Sequence, residues 1–325
     1  MTKAIRVHET GGPDVLKWED VEVGDPGSGE ARVRHTAVGL NYIDTYYRSG
    51  LYPPPQLPYI PGAEGAGVVE AVGEGVTNVK VGDRVAYGTS PLGAYSEERV
   101  LPADNLVKLP AEIDDQTAAA MMLQGMTVEY LLLRTYPLKA GETILFHAAA
   151  GGVGLIACQW ANFIGATVIG TVGSEEKAEL AKAHGCHHTI LYNKENVAER
   201  VRELTDGEGV PVVYDSVGKD TLEGSLDSLQ PFGLLVSFGN SSGPISDFNL
   251  GVLAQKGSLY VTRPTLFTHR SVPGRLQEMA HNLFNVVQTG AVKIEVNQTY
   301  ALRDAVQAHK DLEARKTTGS SVYIV

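Results

Sequence analysis

Thr143-Ile144-Leu145-Phe146-His147-Ala148-Ala149-Ala150-Gly151-Gly152-Val153-Gly154 runs directly into Leu155-Ile156-Ala157-Cys158-Gln159-Trp160-Ala161-Asn162-Phe163-Ile164. A short apolar run, a glycine-rich turn and a helix-length apolar segment, in that order, are what a dinucleotide site needs. The turn has to be tight. One glycine lets the backbone approach a pyrophosphate, another lets helix pack on strand, and the helix N-terminus offers N–H groups to the phosphates. Against the fingerprint with glycine at its first, third and sixth positions, Ala149 stands in for the first, while Gly151 and Gly154 match. Gly152 and Val153 complete the turn expected to face the phosphates.

Outward from this stretch, Thr143 to Ala148, Thr167 to Thr171, Val210 to Tyr214, Gly233 to Phe238 and Ser258 to Thr262 read as strands separated by helix-length segments. That alternation predicts a doubly wound parallel sheet, so this half is α/β of the Rossmann type. Leu276 to Gly290 carries apolar residues at helical spacing, with Gly290 as its cap, and a helix pair and a last strand are expected to close the chain. Up to about residue 125 the pattern differs. Short β-rich runs such as Ala31 to Val38 and Gly65 to Gly73 are broken by Gly and Pro, which predicts a compact, β-barrel-like domain.

The choice between the two nicotinamide dinucleotides is read about 20 residues beyond the turn, where an acidic residue would accept from a free ribose 2′-OH. Here the second strand ends in Gly173-Ser174, with no carboxylate before Glu175. Lys177 and Ser174 are placed to meet a 2′-phosphate instead, and charge-assisted hydrogen bonds of that kind contribute ~1.5–3 kcal/mol each. The expected cofactor is NADPH.

The 325 residues suit two domains rather than one, and 43% hydrophobic with 20% charged residues is ordinary for globular chains. Lys plus Arg number 27 and Asp plus Glu 38, a net charge of −11, so nucleic-acid binding is not expected. Two cysteines, Cys158 and Cys186, are too few for a disulfide scaffold or a four-cysteine zinc lobe. The first residues, Met1 to Glu9, match neither a signal peptide nor an anchor. A soluble protein of the cytoplasm, without membrane contact, is expected.

Three blocks then carry a family resemblance: Phe146 to Gly154, Asn41-Tyr42-Ile43-Asp44-Thr45-Tyr46-Tyr47-Arg48-Ser49-Gly50-Leu51-Tyr52, and Val236-Ser237-Phe238-Gly239-Asn240-Ser241-Ser242-Gly243. Together with Val213 to Gly218 they resemble the NADPH:quinone oxidoreductases, the zeta-crystallin-like, zinc-free branch of the medium-chain dehydrogenase/reductase superfamily. The likeness runs from the N-terminus to the final strand. It implies a GroES-like catalytic domain from residues 1–125 and 265–325, a Rossmann NADPH-binding domain over 126–264, and a homodimer. Zinc dehydrogenases of the superfamily carry Cys where this chain has Asn41, and Gly-His-Glu where it has Gly62-Ala63-Glu64. No metal is therefore expected. The implied reaction moves a hydride to a quinone, whose electron-poor ring needs no Lewis acid.

By the same resemblance Asn41, Tyr46 and Tyr52 line the quinone pocket, and Arg263 lies at its rim near the cofactor. Tyr192, Ser216, Phe238, Gly239, Asn240, Ser241 and Arg315 are implied around the dinucleotide, as are Gly173 and, just past the first domain boundary, Thr127 and Tyr130. Two other readings stay open. One is an enone or alkenal reductase of the same branch, which uses the same cofactor geometry. The other is a non-catalytic structural or RNA-binding protein, against which the intact glycine turn and the acidic balance argue. Cys186-His187-His188 has three ligating side chains but no matching cluster elsewhere. Pro53-Pro54-Pro55 reads as a stiff pocket wall, Met121, Met122, Leu123 and Met126 as core, and His147 as a buried, hydrogen-bonded strand residue.

Overall fold

The computed structural model describes residues 1–88 and 91–325. It divides into two compact units, one formed by Met1–Met126, Pro273–Phe284 and Ile294–Val325, the other by Thr127–Val272 and Asn285–Lys293.

The second unit is built on a six-stranded, all-parallel sheet in the order His188–Leu191, Thr167–Val172, Thr143–Phe146, Val210–Asp215, Leu229–Ser237, Tyr260–Thr262. Numbered by sequence this is 3-2-1-4-5-6, the Rossmann order, with strand direction of growth reversing between Thr143–Phe146 and Val210–Asp215. Leu145, Ile169, Ile190, Val213 and Leu235 fill the core because strands covered on both faces must be apolar throughout. The helix Gly152–Ile164 buries Leu155, Ile156, Ala157, Cys158, Trp160 and Ala161 and ends at Gly165, whose φ of 94° no other residue adopts cheaply.

Several expected bounds move. The strand predicted to reach Ala148 stops at Phe146, because Ala148 turns the chain in the left-handed region, φ 55°. The last parallel strand begins at Tyr260 rather than Ser258, which also has φ 55°. The helix predicted from Leu155 starts at Gly152, since the glycine turn itself forms the first helical residues.

The first unit carries a seven-stranded sheet ordered Val296–Ala301, Ser320–Ile324, Glu30–Leu40, Glu64–Val72, Arg84–Gly88, Val107–Lys108, with Glu98–Pro102 also on Glu30–Leu40. Thr2–Val7 and Leu16–Val21 form a separate hairpin. Ser320–Ile324 runs antiparallel to Glu30–Leu40, with Tyr323 opposite Val38, so the end of the chain completes a sheet begun near its start. The expected last strand is Ser320–Ile324, but the helix pair expected before it needs correction. A strand, Val296–Ala301, lies between the helices Arg275–Gln288 and Ala305–Glu313. Its polar Asn297, Gln298 and Thr299 hide the strand pattern. Gly290, at φ 76°, closes the helix before it as expected. Met121, Met122 and Met126 are buried.

Candidate active site

The glycine turn is set by its packing. A Cβ on Gly154 would lie 2.3 Å from the Ala148 carbonyl oxygen and 2.6 Å from that of Ala149, so only glycine lets the helix sit on the strand. At Gly151 the space is open, the nearest atom to such a Cβ being the Ala148 oxygen at 3.4 Å. Gly151 is also the N-cap of Gly152–Ile164 and brings no capping side chain. The first-turn N–H groups of Gly152, Val153 and Gly154 are thus left to a ligand, and the helix dipole adds positive potential there. These residues fit a pyrophosphate.

The next helix is different. Ser174 caps Glu175–Ala183, its hydroxyl oxygen accepting from the Lys177 N–H at 3.3 Å. Gly173 precedes it, and a Cβ there would lie 2.7 Å from the Tyr192 hydroxyl, so Tyr192, half exposed, crosses this corner. Gly173, Ser174, Lys177 and Tyr192 therefore share one corner at the carboxyl ends of two neighbouring strands.

Ser216 and the run Phe238-Gly239-Asn240-Ser241 follow the fourth and fifth strands of the sheet at its carboxyl edge. A Cβ on Gly239 would lie 2.2 Å from the Ser216 oxygen, so these two turns touch. Arg263 follows the sixth strand and donates to the Gly239 oxygen at 3.0 Å, which brings its guanidinium to the same edge. Tyr130 stacks on His269, ring centroids 4.5 Å apart and planes 10° apart; burial pushes its hydroxyl well above the ordinary value, opposed by Arg263 and by a hydrogen bond with Thr127.

Beneath this edge runs a buried polar chain that sequence reasoning saw only at His147. The Asp215 carboxylate accepts from the N–H groups of Val217 (2.8 Å) and Gly218 (3.0 Å), the Thr221 hydroxyl (2.7 Å) and the Ser225 hydroxyl (2.8 Å). Ser225 is 3.0 Å from His147 Nε2, and His147 Nδ1 is 3.1 Å from Thr171 Oγ1. Burial lowers the His147 pKa. A neutral ring that donates through Nε2 and accepts at Nδ1 satisfies every partner. The chain ties three strand ends together.

The substrate-side candidates lie in the first unit. Tyr46 is on the helix Tyr42–Ser49, and its ring meets that of Tyr52 edge-on at 5.2 Å; Tyr52 also meets Tyr47 at 5.7 Å. Asn41 is the residue before that helix. Its Nδ2 donates to Glu64 at 2.6 Å and its Oδ1 accepts from Gln124 at 3.1 Å, and Glu64 accepts the Leu123 N–H at 2.8 Å. Both Asn41 amide ends are thus engaged within the protein. Burial pushes the Glu64 carboxyl up to about 8, against the bonds from Asn41 and Leu123, so at neutral pH it keeps its proton. Asp44, buried beside it, is pushed up to about 7 by the same cause, although the Asn41 N–H and the Tyr95 hydroxyl donate to it. Arg315 closes the helix Ala305–Glu313 with φ 59°, also in the first unit.

Glu64 and Gln124 were not singled out from sequence. The available signal was an acidic residue inside the apolar, glycine-rich run Gly62 to Val69. The donor set does not fit zinc: Ala63 has no donor atom, the Asn41 amide is spent on Glu64 and Gln124, and Glu64 is held protonated. Among the described residues no group of three or more His, Cys, Asp or Glu side chains is placed to hold a metal ion. Cys186 is buried and free, while His187 Nδ1 accepts the Val168 N–H at 3.0 Å. Among the described residues no helix is long and apolar enough to cross a membrane.

Comparison with known proteins agrees with both halves. Residues 27–111 match the alcohol dehydrogenase GroES-like domain and residues 152–283 the family described as zinc-binding dehydrogenase. A quinone oxidoreductase of Pseudomonas aeruginosa is 61% identical over the whole of both chains, and a 2-haloacrylate reductase of a Burkholderia species is 48% identical over 100% of this chain and 99% of that one. A solved structure of the Escherichia coli quinone oxidoreductase complexed with NADPH superposes with a TM-score of 0.98 at 52% identity, covering 99% of this chain and all of the other. The chain belongs to the quinone oxidoreductase family of the medium-chain dehydrogenase/reductase superfamily.

Proposed function

We propose that this chain is a zinc-independent NADPH:quinone oxidoreductase. NADPH, when bound, supplies a hydride, and a proton from solvent completes the conversion of quinone to hydroquinone. The chain's own residues position and stabilise. The Gly151–Gly154 turn and its helix hold the pyrophosphate, Ser174, Lys177 and Tyr192 hold the 2′-phosphate, and Ser216, Phe238, Asn240 and Ser241 border the rest at the carboxyl edge. Arg263 keeps a fixed positive charge there through its bond to the Gly239 oxygen. Tyr46 and Tyr52 donate hydroxyls to the quinone oxygen on which negative charge develops, and Asn41 holds the start of the helix that carries Tyr46. Such donors stabilise developing charge without reorganising.

The observation that carries this reading lies at Asn41 and Ala63: an amide engaged by Glu64 and Gln124, and a side chain with no donor atom, stand where the resemblance places the Cys and His of the zinc dehydrogenases. An alcohol has no help in losing its proton at such a site, while a quinone needs none. A second reading, conjugate reduction of a polarised C=C bond, is supported by the likeness to the 2-haloacrylate reductase. Steady-state rates with NADPH against benzoquinones, naphthoquinones, 2-alkenals and 2-haloacrylates decide between the two. Turnover that is abolished by a chelator and restored by zinc, or faster oxidation of simple alcohols, sinks the proposal.

The reading includes a homodimer. The edge strand Tyr260–Thr262 leaves Tyr260 60% exposed, and nearby Phe232 is 70% exposed, an unpaired apolar edge that a second copy would cover. Light scattering on the purified chain should give twice the monomer mass. A reducing compartment, the cytoplasm, suits two buried free thiols.

A further inference from the structure

At the corner assigned above to the 2′-phosphate, two loops leave the sheet side by side, because Thr167–Val172 and His188–Leu191 pair in parallel with Leu191 opposite Val172. Asn193 Nδ2 donates to the Gly173 oxygen at 3.2 Å, and Lys194 Nζ lies 3.0 Å from Glu175 Oε1. The first turn of the helix Glu175–Ala183 therefore holds two carboxylates, Glu175 and Glu176, against one cation, Lys177. A ligand dianion arriving there would meet net negative charge from that turn alone. Lys194, from the neighbouring loop, brings the corner to neutrality, and its field also acts on Glu176.

We propose that Lys194 is a specificity-determining residue for the 2′-phosphate that acts through Glu175, engaging that carboxylate so that it does not compete with the phosphate for Lys177. The proposal rests on the NADPH reading and extends it to a residue that does not itself touch the phosphate. Lys194 and Glu175 are 60% and 68% exposed, so their pairing contributes little to the fold. Its effect is on ligand charge. Removing the lysine uncovers a carboxylate one residue beyond Gly173-Ser174, the place where the fingerprint puts the acid that selects a free 2′-OH.

The test uses the full chain and direct binding of 2′,5′-ADP and 5′-ADP by calorimetry, with NADPH and NADH followed by fluorescence. Lys194→Ala should weaken 2′,5′-ADP about three- to fivefold, the order of one exposed charge pair, while 5′-ADP, a check on folding, is unchanged. Adding Glu175→Gln to Lys194→Ala should restore most of the loss. Equal weakening of both ligands overturns the proposal. So does a loss that Glu175→Gln fails to restore, because Lys194 would then bind the phosphate directly. If Lys177→Ala abolishes the preference and Lys194→Ala leaves it intact, the proposal falls and the NADPH reading stands. If the unaltered chain binds 5′-ADP as tightly as 2′,5′-ADP, the reading falls and the proposal with it.

Discussion

Tyr46 and Tyr52 meet edge to face with ring centroids 5.2 Å apart, so each ring limits the rotation of the other. Removing the Tyr46 hydroxyl leaves the ring pair intact and takes away one donor. Tyr46→Phe is expected to lower kcat with quinone by about 100-fold, the lower end of the range for losing one hydrogen bond to developing charge, with NADPH affinity unchanged by fluorescence titration. Unchanged kcat would reduce Tyr46 to packing. Ala148 presents a different case: it is exposed, non-glycine, and left-handed at φ 55°. For such a residue that conformation costs about 1–2 kcal/mol, partly offset by the extra freedom glycine has when unfolded. Ala148→Gly should therefore stabilise the protein by up to about 1 kcal/mol in urea unfolding. The sequence placed the tight turn correctly but put the substitution at Ala149; which residue of an alanine triplet takes the strained angle is decided by how strand and helix meet, and nothing in Ala148-Ala149-Ala150 marks it.

At the level of elements, two neighbouring helices of the parallel unit end their N-termini differently, one capped by Ser174 and one headed by bare Gly151. The difference is what the proposed role of the Gly151–Gly154 turn in holding pyrophosphate requires. Gly151→Ser tests it, since a Cβ fits there with its nearest contact at 3.4 Å. The new side chain would cap the helix itself, worth only a few tenths of a kcal/mol over glycine. NADPH binding is expected to weaken at least about tenfold, while the Tm of the ligand-free protein changes by no more than a degree or two. Equal affinity for the variant would remove the turn from the site. The glycine turn and the strand–helix alternation made this unit legible in sequence, because strands buried on both faces are written as unbroken apolar runs. Val296–Ala301 was not legible. Its half-buried residues alternate with Asn297 and Thr299, and neither apolar content nor a turn signal separates it from loop. Nor was Lys194, whose place beside Glu175 depends on parallel pairing of strands about 20 residues apart.

For the whole molecule the buried titratable groups set a pH dependence. Glu64 and Asp44 keep their protons in the folded state up to about 8 and about 7, while in the unfolded chain they lose them near 4.5 and 3.8. Their raised values mean that stability present in acid is lost as pH rises toward the folded values. His35 and His309 act oppositely. Burial lowers them to about 4 and about 3, and Arg48 adds to the effect at His309, so their contribution is present above the ordinary value of 6.5 and is lost as pH falls. Above pH 7 the histidine contributions are complete, and only the carboxylates remain. Unfolding free energy should thus fall from pH 7 to pH 8, by roughly 1 kcal/mol from Glu64 alone. Glu64→Gln should flatten that decline in urea titrations at pH 7, 7.5 and 8; an equally steep decline in the variant would show that Glu64 ionises normally. None of this was legible from the acidic composition, since burial and not number sets these values.

The strand Ser320–Ile324 lies antiparallel to Glu30–Leu40 in the middle of the first unit's sheet. During synthesis those two partners leave the ribosome almost a whole chain apart. The nascent Glu30–Leu40 edge must wait unzipped while the intervening parallel sheet, whose six strands are contiguous in translation order, is complete and able to fold. Growth of the polypeptide thereby imposes a sequence of events in which the unit with the parallel sheet can mature first and the unit that contains Glu30–Leu40 is sealed last.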